Sequence, residues 1–216
     1  MQIRPDRFDR IREAPVLMSW SERVVLYSTI FGVRPMRSLE IGTHKGGSAL
    51  IISAALDDIG VGRLICVDPA PMVAPEHWAK VAHRATLVTG GSPDVLPEAM
   101  KAAGGPFDFA LIDGDHELEG VLRDIEGVLP LLADQAYLLF HDAHFGPVEE
   151  GIDRMVSKYR RHLIDCGMLS VEQTPDAQPG VHWGGLRMLR FSRRRHRYYR
   201  PALSTRLIGW RQRTAR

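Results

Sequence analysis

Cysteine is almost absent: the 216 residues hold only Cys66 and Cys166, far apart in the chain. Two such residues make neither a disulfide framework nor a closely spaced zinc cluster, so a reducing, cytoplasmic compartment is the expectation. No apolar run approaches the ~20 residues that a bilayer-spanning helix needs. Residues 1–13 carry Arg and Asp without an apolar centre and do not read as a secretory signal. The last stretch lacks acid altogether. From Arg190 onward there are ten Arg and no Asp or Glu, which leaves residues 1–189 at a formal −8 in a chain of net charge +2. A tail of this kind is either a solvated end or a contact for a polyanion. Leu203, Leu207, Ile208 and Trp210 give it helical apolar spacing, which points to a docked helix or to peripheral attachment at an anionic membrane surface. The length suits one domain of ordinary size. Its expected organisation is a helix-bearing extension (1–35), an α/β domain (36–191) and the basic tail (192–216).

What the chain does have is a glycine turn in a telling place. Ser38-Leu39-Glu40-Ile41 is a short apolar run containing an acid; Gly42-Thr43-His44-Lys45-Gly46-Gly47 turns, and Ser48-Ala49-Leu50 opens an apolar-periodic segment. This reads as strand, tight turn and helix, the first unit of a doubly wound α/β sheet. Glycines at 42 and 46 let the backbone approach a ligand, and the new helix offers free N–H groups there. Glu40, Gly42, Thr43, Gly46 and Ser48 are therefore candidate cofactor contacts. The spacing is Glu-x-Gly-x-x-x-Gly and not the dinucleotide G-x-G-x-x-G.

Further strands follow at regular intervals. Arg63–Asp68 ends in a carboxylate about where a ribose would lie, and Asp68 can accept two hydrogen bonds from its 2′- and 3′-hydroxyls. Ala85–Thr89 runs into Gly91 and Ser92, candidates for the adenine edge. Phe107–Ile112 empties into Asp113-Gly114-Asp115-His116, and Ala136–Phe140 into His141-Asp142. Asp113 and Asp142 thus fall at the ends of strands expected to be neighbours, where two carboxylates can share a hard cation such as Mg²⁺. An imidazole at His116, with an unperturbed pKa near 6.5, suits removal of a hydroxyl proton. Before the first strand, a helix over 19–31 is expected, with Ser21 as its N-cap and Gly32 and Pro35 closing it.

The glycine turn resembles the first motif of class I S-adenosylmethionine-dependent methyltransferases. With Ile112-Asp113-Gly114-Asp115-His116, Glu119 to Asp124 and Phe140-His141-Asp142, the chain resembles the methyltransferase 24 family over about residues 36–190. That family is related to metal-dependent O-methyltransferases. The resemblance implies a Rossmann-like seven-stranded sheet with a reversed last strand, formed here by the apolar stretches around 168–171 and 184–191. It implies S-adenosylmethionine as cofactor, Asp113 also bordering that site, and Mg²⁺ or another divalent metal on Asp113, His141 and Asp142. It implies His116 as general base and a small-molecule acceptor. His141 departs from the family's all-oxygen pair. Three other readings stay open: an NAD-dependent oxidoreductase, a non-catalytic adenosine-binding module, and a nucleic-acid methyltransferase using the Arg-rich tail. The last is ranked lower because no Asn-Pro-Pro-Tyr-type motif occurs. Whether the chain works alone or as a homo-oligomer is left open.

Overall fold

A computed structural model of the chain describes residues 6–176 and 178–194. The basic tail beyond 194, with the apolar residues around Trp210, lies outside the described residues. Five strands run parallel: β1 (Arg37–Ile41), β2 (Arg63–Asp68), β3 (Ala85–Thr89), β4 (Phe107–Ile112) and β5 (Leu132–Phe140). Helices α1 (Asp6–Arg12) and α2 (Trp20–Val33) precede the sheet, and α3 (Gly47–Ile59), α4 (Pro75–Trp78), α5 (Leu96–Ala103) and α6 (Leu118–Val128) connect its strands. Then come α7 (Gly146–Lys158), β6 (Leu163–Ser170), a two-residue hairpin of β7 (Thr174–Pro175) with β8 (His182–Trp183), and β9 (Leu186–Phe191). The sheet order is β3-β2-β1-β4-β5-β9-β6. β9 inserts antiparallel between β5 and β6, so the reversed last strand is where the sequence put it.

Period-two alternation makes both faces of this sheet apolar, as expected of strands covered on both sides. Leu39, Ile41, Ile65, Val67, Ala110, Ile112, Leu138 and Phe140 pack with α5, α6 and α7. Leu64, Cys66, Phe109, Leu111 and Leu139 face the other way, onto α1, α2 and α3. The helices before β1 thus belong to the same core as α3. Arg7 clamps Asp58 of α3 through two hydrogen bonds of 2.9 and 2.8 Å, and the Tyr27 hydroxyl donates to the same carboxylate at 2.7 Å. Among the described residues, no helix is long and apolar enough to cross a membrane.

Helix α2 corrects one local expectation. Its N-cap is Ser19 and not Ser21: the Ser19 hydroxyl accepts from the Glu22 amide, and the Glu22 carboxylate accepts from the Ser19 amide at 2.7 Å. The Ser-x-x-Glu capping box outcompetes a lone serine because it satisfies two amides reciprocally. Gly32 stays inside the helix, which ends on Arg34 in the left-handed region.

Arg23, one turn further on, organises the segment leading into α2. Its guanidinium donates to the carbonyls of Ile11, Arg12, Ala14, Val16 and Met18. That holds Pro15 tightly on the start of α3, where a Cβ on Gly47 would lie 2.5 Å from the Pro15 carbonyl carbon. Arg23→Ala should therefore free a wall of the first cavity described below. The expected result is amide hydrogen exchange across 13–18 that is roughly tenfold faster or more, since lost hydrogen bonds of this kind cost about 1 kcal/mol each net. Unchanged exchange in that segment would show that Arg23 does not hold it.

Candidate functional site

The site forms where the parallel strands end. Strand-like hydrogen bonds run on past the strands themselves, from Gly42 N–H to Val67 O and from Asp113 N–H to Ile41 O, both 2.9 Å. They align the three ends that carry Gly42, Asp68 and Asp113. Gly42 sits at φ +89°, and a Cβ there would be 1.9 Å from the carbonyl oxygen of Asp113, so the two chains approach as only glycine allows. Gly46 takes φ +78° as the N-cap of α3, with no side-chain cap. The first amides of α3 are left free to face a ligand.

Two cavities share Gly42, Asp68 and Gly114. The first, about 270 Å³, is lined by Pro15, Val16, Leu17, the turn residues Gly42 to Lys45, Gly47, Ser48, Asp113, His116, His141 and Asp142. The second, about 360 Å³, is lined by Gly91, Ser92, Arg123 and Asp124 among others. Most of the residues chosen from the sequence thus line a single groove. Glu40 and Gly46 line neither cavity. Gly46 faces the Val73 side chain and supplies backbone shape only. Lys45, Leu17 and Asp124 line the groove without having been picked out; Lys45 sits in the turn itself, whereas Leu17 and Asp124 become visible only when distant segments are brought together.

Glu40 instead lies beneath the turn at 0% exposure, on the α3 face of β1, among Thr43, Ser48 and Cys66. Neither of its oxygens has a hydrogen bond of ordinary geometry. Burial pushes its carboxyl from 4.5 up to about 7. Between those values the folded protein holds a proton that the unfolded chain releases, so stability should fall as pH rises through this window. Glu40→Gln should flatten that fall. The difference between wild type and variant, read from urea midpoints at pH 5 and 8, should reach roughly 3 kcal/mol. Parallel curves would show that Glu40 is already ionised at pH 5.

Asp68 is also busier than expected. Its Oδ2 accepts the amides of Thr43 at 2.9 Å and His44 at 2.7 Å, and its Oδ1 accepts that of Ala70 at 2.8 Å. A carboxylate has about four lone-pair sites, so one remains for a hydroxyl. Two ribose bonds would need one of those amides to let go. The carboxylate's first effect here is to shape the glycine turn.

The strongest charge cluster joins the ends of β4 and β5. The Nδ1 of His141 lies 3.0 Å from Asp113 Oδ1 and 3.3 Å from Asp142 Oδ2. His116 brings its Nε2 to 3.1 Å from Asp142 Oδ2 and 3.7 Å from Asp113 Oδ1, ion-pair distances without hydrogen-bond alignment. Asp142 itself sits at φ +51°, and its Oδ1 accepts the Gly184 amide at 2.6 Å. A non-glycine residue held there by neighbouring structure is the kind of strain that collects at functional sites. The Asp113 and then the Asp142 carboxylate raise His116 from 6.5 to about 9. The neutral imidazole expected from the sequence is therefore an imidazolium at neutral pH in this state. Burial works against charge on His141, but Asp113, Asp142 and Glu22 together outweigh it and raise that ring as well. Asp115, by contrast, is a turn residue: it accepts the Glu117 amide at 2.9 Å and pairs with Arg123 at 3.2 Å.

A third cavity, about 550 Å³, opens on the other side of the cluster, lined by Leu17, Glu22, His116, Asp142, Thr174, Asp176, Trp183 and Gly184. Trp183, at the end of β8, stacks on Phe145 with ring centres 4.1 Å apart and meets His116 edge-on at 5.6 Å. Its indole N–H donates to Asp176 at 2.8 Å. His44 lines the first cavity, whereas His144 lines none of the three and packs instead under Gly185.

Comparison with known proteins shows what this geometry is similar to. Residues 39–143 match the methyltransferase 24 family, described as a methyltransferase domain. No curated protein matches the sequence. Among solved structures, cofactor-bound Rv0187 from MTB is similar at TM-score 0.63 and 22% identity, over 86% of each chain. The O-methyltransferase TomG of Streptomyces achromogenes, involved in tomaymycin synthesis and solved with SAM, gives TM-score 0.64 and 18% identity over 88% of this chain and 91% of its own. The methyltransferase MycE of the mycinamycin pathway, solved with Mg, SAH and mycinamycin VI, gives 0.59 and 14% over 88% of this chain and 55% of its own. The methyltransferase 24 match spans the glycine turn, Asp68, the Asp113–His116 loop and His141-Asp142, on a seven-stranded sheet with a reversed strand; the chain is an S-adenosylmethionine-dependent methyltransferase of the class I fold.

Proposed function

We propose that the chain moves the methyl group of S-adenosylmethionine to a hydroxyl oxygen of a small-molecule acceptor, with His116 as base beside a divalent cation. The observation that carries this reading is that Leu17, His116 and Asp142 line both the cofactor groove and the Trp183 cavity. A methyl group and an acceptor placed in the two cavities would meet there.

The residues fit both groups. The Gly42–Gly47 turn and the uncapped start of α3 suit the methionine end, and Lys45 offers a cation for its carboxylate. Asp68 keeps one acceptor site for a ribose hydroxyl, with Gly91, Ser92 and Asp124 beyond it. Asp113, His141 and Asp142 offer ligand atoms that all lie within 4.8 Å of one another. A divalent cation held by them would acidify and orient the acceptor hydroxyl.

The transfer then needs little from the chain beyond placement and one proton. The acceptor oxygen attacks the sulfonium methyl, the S–CH₃ bond breaks with its electron pair going to sulfur, and the hydroxyl proton passes to Nε2 of His116. His116 must be neutral to take it. Its charge is sustained by the two carboxylates, so engagement of those carboxylates with a cation removes the cause of its raised pKa. Glu22, Asp142 and Asp176 line the acceptor cavity and no Lys or Arg does, among the described residues. That favours a neutral or cationic acceptor over an anionic one.

The test is calorimetry with S-adenosylhomocysteine and NAD, followed by transfer from labelled S-adenosylmethionine to a panel of neutral, cationic and anionic hydroxyl compounds. S-adenosylhomocysteine should bind and NAD should not, and label should appear as methyl ether on non-anionic members. Methylation confined to nitrogen or carbon, or to anionic acceptors, would overturn the reading.

A further inference from the structure

We propose that the Asp113–His141–Asp142 cluster selects a transition-metal dication over Mg²⁺, and that Glu22, at the start of α2, is the positioning residue that makes His141 a nitrogen ligand. The inference rests on the divalent cation of the preceding reading and goes further by naming its class.

The geometry begins with a ring that has no freedom. His141 is 4% exposed, and its two nitrogens face different partners. Nδ1 points at the carboxylates, 3.0 Å from Asp113 and 3.3 Å from Asp142. Adjacent ligands of an octahedral cation with bonds of about 2.1 Å lie about 3.0 Å apart, so each carboxylate oxygen is spaced from Nδ1 as neighbouring positions of such a shell, and all three ligand atoms lie within 4.8 Å of one another. Nε2 is buried and lacks a hydrogen-bond partner, and the carboxylate facing it is Glu22, with Oε1 at 3.6 Å. A ring shift of roughly half an ångström closes that gap to a hydrogen bond.

Glu22 is itself fixed. It is 2% exposed, its Oε1 accepts the Gly185 amide at 2.6 Å and its Oε2 the Ser19 amide at 2.7 Å. The neighbouring Gly184 amide holds Asp142, so one glycine turn orients both a cation ligand and the carboxylate behind another. A carboxylate on the far N–H of a histidine fixes its tautomer and makes the metal-facing nitrogen a better donor. With Nε2–H directed at Glu22, the Nδ1 lone pair faces the cluster. Imidazole suits later divalent metals such as Fe²⁺, Co²⁺ and Zn²⁺, and a nitrogen ligand favours Mn²⁺ least among the transition dications, whereas Mg²⁺ takes oxygen ligands and keeps its waters. One nitrogen among two carboxylates therefore tilts the site toward the later metals.

The experiment uses the full chain saturated with S-adenosylhomocysteine and reads binding, not turnover. Calorimetric competition should place Co²⁺ roughly 100-fold, and Mn²⁺ at least about tenfold, tighter than Mg²⁺. Electron spin-echo modulation of bound Mn²⁺ should show a ¹⁴N coupling. His141→Asp should abolish the coupling and bring the preference below tenfold. Glu22→Gln should keep the coupling while weakening Mn²⁺ by about 10–100-fold, the usual effect of such a partner. A wild-type preference under tenfold, or no ¹⁴N coupling, overturns the inference while leaving the cation in place. Undiminished Mn²⁺ affinity in Glu22→Gln removes Glu22 from it. If no dication binds, the cation reading fails and this inference fails with it. Should either variant not bind S-adenosylhomocysteine, the wild-type preference and coupling still decide.

Discussion

Gly42→Ala should destroy cofactor binding. The added methyl would sit 1.9 Å from the Asp113 carbonyl oxygen and 2.9 Å from the Gly114 Cα, both backbone atoms. Neither can step aside without pulling β1 from β4, because Asp113 N–H is bonded to Ile41 O at 2.9 Å. To this clash is added the cost of an alanine at φ +89°, about 1–2 kcal/mol. The sum places the variant in the exceptional range of 4–5 kcal/mol destabilisation, and whatever folded population remains has a displaced turn. S-adenosylhomocysteine affinity should fall more than about 100-fold. Gly60→Ala is the control, since it has a similar φ of +86° but open space around the new methyl. It should cost only the conformational term and leave affinity unchanged. Urea midpoints and calorimetry on the two variants separate the effects. If Gly42→Ala binds S-adenosylhomocysteine within threefold of wild type, the turn is not the cofactor's cradle.

The contrast between these glycines shows what could be read from the chain alone. The strand–turn–helix unit, the carboxylate ending β2 and the Asp-Gly-Asp-His loop are local patterns, and each was legible because hydrophobic periodicity and turn residues act over a few positions. The reversed β9 was legible through family likeness. What stayed hidden depends on distance along the sequence. Glu22 meets Gly185 across 163 positions, and no local signal announces that contact. Its capping box with Ser19 is a local pattern that was passed over for Ser21, and it speaks only of a helix start. Leu17, 86% exposed and lining both the first and the third cavity, looked like an ordinary residue of an extension. Glu40 and Gly46 fitted the motif but support the turn from behind. A motif names residues that recur together; it does not say which of them touch the ligand.

His116→Ala should lower turnover by about 10²–10⁴-fold, the usual contribution of a positioned base. Affinity for S-adenosylhomocysteine should stay within threefold, because the cofactor groove gains space but loses no bond to the turn. Binding of a dication should not weaken either, since the alanine removes a positive charge from beside Asp113 and Asp142. The loss should be smallest for the most acidic hydroxyls, which need the least help to ionise. The pH dependence gives the sharper test. With chelator present, His116 keeps the two carboxylates that hold it at about 9, so wild-type activity should climb with pH through that value. With a dication restored, the carboxylates are engaged elsewhere and the rise should move to lower pH. In His116→Ala that limb should be absent under both conditions. A variant that keeps its turnover within threefold, or keeps the same pH limb, would place the proton acceptor on another group. A wild-type limb that ignores the dication would separate His116 from the cluster it touches at 3.1 Å.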